Sequence, residues 1–154
     1  MPVPLGVREL TGKEKVQVLS AHARTALALS ARLSGVVLGP LEKGARGEPL
    51  SRDGVHWSIS HTTDFVAAVT APHRVGIDIE KVKPFSPALR SRVAGHHEWH
   101  LVREADDTLC CRFWTAKEAV LKAVGIGLGG LSKCSIVDIT DQNLRLDYET
   151  GSWM

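Results

Sequence analysis

Two acids stand two residues apart in VGIDIE, residues 75–80, and both are followed downstream by a helix-like stretch rich in lysine. Read with the period of a β-strand, Val75, Ile77 and Ile79 take one side, while Asp78 and Glu80 share the other. Their Cα atoms would then be roughly 6.6 Å apart, near enough for both carboxylates to converge on one ion. A solvated outer face of an edge strand gives the same alternation. Against it stands the apolar run 65–71, the expected neighbour of this strand, because two acids in a partly dry place need a cation. Hard oxygen donors suit Mg²⁺, and no cluster of histidine and cysteine competes for Zn²⁺.

The second chemical element is CCRFWTAKEAVLKAVG, residues 110–125. On a helical wheel Leu109, Phe113, Ala116, Val120 and Val124 form one apolar arc, extended by Cys110, Trp114 and Leu121. Lys117 falls inside that arc, where it either snorkels or joins Glu118 and Lys122 in reaching a phosphate and its metal. Glu118 and Lys122 lie on the flank, either as an ordinary i to i+4 surface pair or as groups reaching a phosphate and its metal. The third element is SISH, residues 58–61, in which Ser60 and His61 close a strand. They are either structural or donors to a phosphate oxygen. Neither a GxSxG nucleophile elbow nor a phosphate-binding loop is present: GIGLGG at 125–130 lacks the GK[ST] ending and follows a helix.

These groups need positioning elements. Residues 13–34 carry Val16, Leu19, Ala23, Ala26/Leu27 and Ser30 at helical spacing, with Gly35 as a stop. After a Gly/Pro-rich connector, the segments 56–60, 65–71 and 75–79 read as a three-stranded antiparallel meander with 65–71 at its centre. The pattern from 81 to 108 is weak, with short helices at LRSRVAGHH and EWHLVRE. A strong helix follows over 108–124, with Asp107 as N-cap and Gly125 as stop, and then a hairpin of 135–139 with 144–148.

Bulk properties bound the function. With 154 residues, 44% of them hydrophobic and 23% charged, the chain is of a size and composition for one soluble domain over residues 1–154. A net charge of +2 gives no reason to expect nucleic acid as a partner. Cys110, Cys111 and Cys134 form no CxxC pair and read as reduced, buried thiols. No signal peptide or membrane-length apolar run is seen, so the expected location is cytoplasmic and away from the membrane.

SISH at 58–61, VGIDIE at 75–80 and FWTAKEAVLK at 113–122, in this order, resemble the 4′-phosphopantetheinyl transferases over about residues 20–148. The serine-histidine element is similar to the longer, pseudo-dimeric, surfactin-synthetase-activating type. The resemblance implies an α+β fold of two similar halves, about 1–73 and 74–154, each with a small antiparallel sheet and a packed helix. It implies transfer of phosphopantetheine from coenzyme A to a serine of an acyl, peptidyl or aryl carrier protein, releasing 3′,5′-ADP. By the same match Asp78, Glu80 and Glu118 would hold Mg²⁺, or Mn²⁺ in its place. Glu118 would take the serine proton, Lys122 would serve the leaving diphosphate, and Lys117 would contact phosphate. Ser60 and His61, helped by Arg24, would bind the 3′-phosphate end of coenzyme A, and Glu98 matches a further acidic position near the metal. Where the family often has GKP, this chain has Gly47-Glu48-Pro49, leaving Lys43 or Arg46 to substitute. The sequence ends at Gly151-Ser152-Trp153-Met154, short of the strands by which longer relatives complete the second half, so the resemblance implies an open sheet edge and either a monomer or self-association there. The alternative function is a non-catalytic module that binds coenzyme A or a carrier.

Overall fold

A computed structural model describes residues 1–149 and 151–154. After a single turn, α1 (Leu5–Arg8), the helix α2 spans Gly12–Leu33 and buries Leu19, Ala23, Leu27 and Ala31 along one i to i+4 stripe. The expected stripe is therefore right through its centre and wrong at its N-terminal end. Val16 is 56% exposed. Ser30 faces the sheet through its hydroxyl, which accepts the Thr70 N–H at 3.1 Å.

That stripe lies on an antiparallel pair, β1 (His56–His61) and β2 (Val66–Ala71), registered from His56 opposite Ala71 to His61 opposite Val66. Val3, Leu19, Ala23 and Val66 form the small core between them. The far edge of β2 is taken by the first residues of the chain: Val66 N–H donates to Met1 O at 2.9 Å and Val3 N–H to Asp64 O at 2.8 Å.

The expected third strand of this meander does not form. Residues 74–80 run extended but belong to no sheet, and they lie beside β1 instead of β2. Two local facts explain the difference. Ile77 N–H spends its hydrogen bond on the Ser58 hydroxyl at 3.2 Å, so a side chain replaces a ladder partner. Gly76 presses on the helix behind it, where an added Cβ would land on the carbonyl oxygen of Ala119 and 2.7 Å from its carbonyl carbon. The apolar alternation that signalled a strand is satisfied by packing against that helix.

The C-terminal half repeats the order of helix then sheet. Short helices α3 (Pro87–Val93) and α4 (His96–Trp99) lead into α5 (Asp107–Val124), a 3₁₀ segment (Gly127–Lys133), and the antiparallel strands β3 (Cys134–Ile139), β4 (Leu144–Tyr148) and β5 (Gly151–Trp153) in the order β3-β4-β5. The hairpin of β3 and β4 is where the sequence places it; β5 adds a third strand the reading lacked. Helix α5 starts one residue earlier than expected because Asp106 is the N-cap, its Oδ1 accepting the Leu109 N–H at 2.7 Å. Asp107 turns away to accept from Phe85 N–H at 3.0 Å and Arg90 at 2.7 Å. Gly125 ends the helix with φ of 76°, a left-handed conformation that glycine adopts without strain.

Phe113 and Leu121 of α5 pack with Val93, Leu131, Ile136 and Leu146 in the larger core, each such side chain contributing roughly 1.5–3 kcal/mol on burial. Trp99 stacks on Phe113 with ring centroids 4.9 Å apart and nearly parallel planes, which docks α4 on α5. Cys110, Cys111 and Cys134 are buried free thiols, and burial pushes the Cys134 thiol up to about 11. The whole is an α+β fold of small antiparallel sheets with packed helices. No described helix is long and apolar enough to cross a membrane.

Candidate active site

A cleft of about 560 Å³ opens between the two halves. Its walls are supplied by β1, the loop 43–49, the extended segment ending in Asp78 and Glu80, and the last turns of α5. Gly76 explains why two of these walls stay in step: its missing side chain lets the segment 74–80 lie directly against the α5 backbone. Asp78 and Glu80 are thereby brought to the same cleft as Glu118 and Lys122.

Asp78 is the centre of the arrangement. Lys122 Nζ lies 2.6 Å from its Oδ1, the Ser60 hydroxyl donates to the same oxygen at 2.8 Å, and Lys122 also donates to Ser60 Oγ at 3.0 Å. The Asp78 side chain is only 7% exposed while that of Lys122 is 30% exposed. Asp78 Oδ2 is buried and has no hydrogen-bond partner among the described residues. A carboxylate with one oxygen doubly satisfied and the other unpaired has capacity for a further cation.

Glu118 stands one helical turn before Lys122. Burial, followed by repulsion from Asp78, raises its pKa above the usual carboxylate value; Lys122 opposes the shift and Glu80 adds to it. Three acids on one cleft, with an unpaired carboxylate oxygen among them, form a donor set suited to a hard divalent ion. Yet among the described residues no group of three His, Cys, Asp or Glu side chains is already gathered as a metal cluster.

Several expected residues sit elsewhere. Lys117 does not reach the cleft: its ammonium is 2.6 Å from Glu98 Oε1, and the two residues are 2% and 3% exposed. Glu98 also accepts the Ile136 N–H at 2.8 Å and the Gly95 N–H at 2.7 Å, so it is a buried tie between α4, α5 and β3 and not a group near the acids of the cleft. The expectations were phosphate contact by Lys117 and a metal-side acid at Glu98; this pair instead holds the two side chains to each other in the core. Arg24 lies on the exposed face of α2 and does not line the cleft. Ser60 and His61 both line it; the Ser60 hydroxyl bonds Asp78 and Lys122, and His61 is exposed.

Lys43 and Arg46 reach the cleft from a tight turn closed by the Lys43–Pro49 bridge and the Gly47 N–H to Gly44 O bond at 2.9 Å. Glu48 turns its carboxylate back into this turn, accepting the Arg46 N–H at 2.9 Å, so it braces the loop. Trp57 Nε1 holds the end of the connector by donating to Leu50 O at 3.2 Å. Ser58 is the residue that sequence reasoning missed. The signal was present, since Ser58 and Ser60 share one face of β1 opposite Trp57 and Ile59.

A family model for the 4′-phosphopantetheinyl transferase superfamily matches residues 74–153, more than half the chain. The chain belongs to that superfamily. It is 33% identical over 104 residues to the 4′-phosphopantetheinyl transferase HetI of Nostoc sp., covering 60% of this chain and 44% of that protein. To the 4′-phosphopantetheinyl transferase psf-1 of Bacillus pumilus it is 32% identical over 98 residues, 59% of this chain and 42% of the other. To the human L-aminoadipate-semialdehyde dehydrogenase-phosphopantetheinyl transferase it is 30% identical over 126 residues, 69% and 41% respectively. The chain thus spans less than half the length of these relatives. The superfamily match begins at Arg74, so it takes in the acid segment, α5 and the second sheet, while the loop 43–49 and β1 belong to the wall outside it.

Proposed function

We propose that this chain is a phosphopantetheinyl transferase of the longer, surfactin-synthetase-activating type, with two pseudo-duplicated halves. It transfers the 4′-phosphopantetheine group of coenzyme A to a serine of an acyl, peptidyl or aryl carrier protein and releases 3′,5′-ADP. The reading is carried by one observation: a single cleft is lined by Asp78, Glu80, Glu118 and Lys122 and also, from the loop 43–49, by Lys43 and Arg46. Acids for a metal and cations for phosphates are the parts that phosphoryl transfer needs.

The unpaired Asp78 Oδ2, with Glu80 and Glu118 beside it, would hold Mg²⁺ or Mn²⁺. Such an ion supplies charge neutralisation at the diphosphate and at the departing oxygen. Glu118 accepts the proton of the carrier serine as its oxygen bonds to phosphorus and the bond to 3′,5′-ADP breaks. Its raised proton affinity suits that task, because a stronger base accepts a proton more readily. Lys43 and Arg46 bind the outer phosphate in place of the lysine that Glu48 displaces. Free thiols at Cys110, Cys111 and Cys134 fit the proposed cytoplasmic setting.

Intact-mass spectrometry of a panel of apo carrier proteins, incubated with the protein, coenzyme A and Mg²⁺, tests the reading. A gain of about 340 Da on a carrier, lost with EDTA, is expected for this covalent modification. Coenzyme A binding by calorimetry without any gain across the panel would replace the transferase with a binding module.

A further inference from the structure

Asp78 already has a cation. Lys122 stands 2.6 Å from one of its oxygens, Ser60 steadies both groups, and the other oxygen is buried and unpaired. An ion arriving at Asp78 Oδ2 would face an ammonium held on the same carboxylate. In a partly dry cleft that repulsion is several-fold stronger than in water.

Lys122 has somewhere to move. Its side chain is 30% exposed on the cleft wall, its stem is flexible, and phosphate oxygens accept stronger charge-assisted bonds than a hydroxyl does. Resting on the transferase reading above, we infer that Lys122 is a displaceable internal cation. It neutralises Asp78 while the cleft is empty and swings to the diphosphate of coenzyme A when the nucleotide enters, which frees Asp78 for the divalent ion. Coenzyme A and metal therefore bind with positive coupling, and by linkage each tightens the other by the same factor.

The test is a Mn²⁺ titration followed by electron paramagnetic resonance of the free ion. It is run with wild type, Lys122→Met and Lys122→Arg, each with and without coenzyme A, and corrected for Mn²⁺ held by coenzyme A alone. Without coenzyme A, Lys122→Met should bind Mn²⁺ at least about fivefold tighter than wild type, the low end of typical coupling, and Lys122→Arg should stay as weak as wild type. Coenzyme A should tighten Mn²⁺ binding to wild type by roughly 5–150-fold and to Lys122→Met by much less. Equal Mn²⁺ affinity of wild type and Lys122→Met without coenzyme A overturns the inference, as does undiminished coupling in that variant. If circular dichroism shows Lys122→Met unfolded, the wild-type titration alone decides, since an unchanged Mn²⁺ affinity on adding coenzyme A also overturns it. Coupling without transfer to any carrier would remove the transferase reading and leave this inference standing; transfer without coupling would do the opposite.

Discussion

Glu118 and Lys117 are neighbours in the chain with opposite physical situations. Glu118 is pushed toward its neutral form by burial and by Asp78, so its charge works against the fold. Because its folded pKa is raised, the penalty is absent at low pH and grows as pH rises through that value. Glu118→Gln should therefore abolish transfer yet raise Tm by about 2 °C at pH 8, the gain shrinking on acidification, as a calorimetric series across pH would show. A Tm that falls at every pH would mean that the carboxylate is needed by the fold. Lys117 is the reverse case. Lys117→Met leaves the charge of Glu98 buried and alone, so the cost should be about 3–5 kcal/mol in urea unfolding, with Lys117→Met/Glu98→Gln recovering part of it. A variant of normal stability with a raised KM for coenzyme A would return Lys117 to the phosphates. At this scale the acids at 78, 80 and 118 and the lysine at 122 were legible because their spacing on strand-like and helical periods is itself the signal. The partner of Lys117 was not legible, since a helical wheel shows which face a lysine occupies and not which buried acid from another helix awaits it.

Between elements, the contact of Gly76 with the α5 backbone does most to build the site. Gly76→Ala must push the acid segment away from Ala119, and backbone on both sides leaves little room to adjust. We expect a loss of about 1–3 kcal/mol in denaturant unfolding, together with weaker Mn²⁺ binding in the presence of coenzyme A. Normal stability and metal binding in that variant would show that the segment is free to move off the helix. The long helices and the second hairpin were legible from periodicity and from punctuation by Gly125 and the polar turn after Ile139. The meander was not. Val75, Ile77 and Ile79 alternate as a strand does, and alternation reports an extended backbone with one apolar side without reporting whether its N–H groups meet another strand or a serine hydroxyl.

Taken whole, the molecule is two helix-and-sheet layers with separate cores, and the cleft is lined from both. A ligand that touches both walls should stabilise them together. Coenzyme A with Mn²⁺ at a hundred times its dissociation constant should add about 2.7 kcal/mol, seen as a rise in Tm of roughly 5–10 °C in a single cooperative transition. A melt in which one part shifts and another does not would mean that the ligand holds only one layer. That the chain makes two such layers was implied by the family resemblance that the motifs carry and not by the periodicity of the segments. That Met1–Val3 would occupy the outer edge of β2 was not, because main-chain pairing leaves no mark on side-chain pattern.

The glycine contact behind Asp78 also divides the cleft into a fixed wall and an adjustable one. The backbone beneath Asp78, Glu118 and Lys122 is set by one close approach of main chain to main chain, so their Cα positions hold together even when the Lys122 side chain swings. Lys43 and Arg46, on a short braced turn with exposed side chains, are free of that constraint. Selection for a different analogue of coenzyme A, in nature or in a laboratory library, would find its tolerated changes on the turn, while the chemistry behind it stays constant.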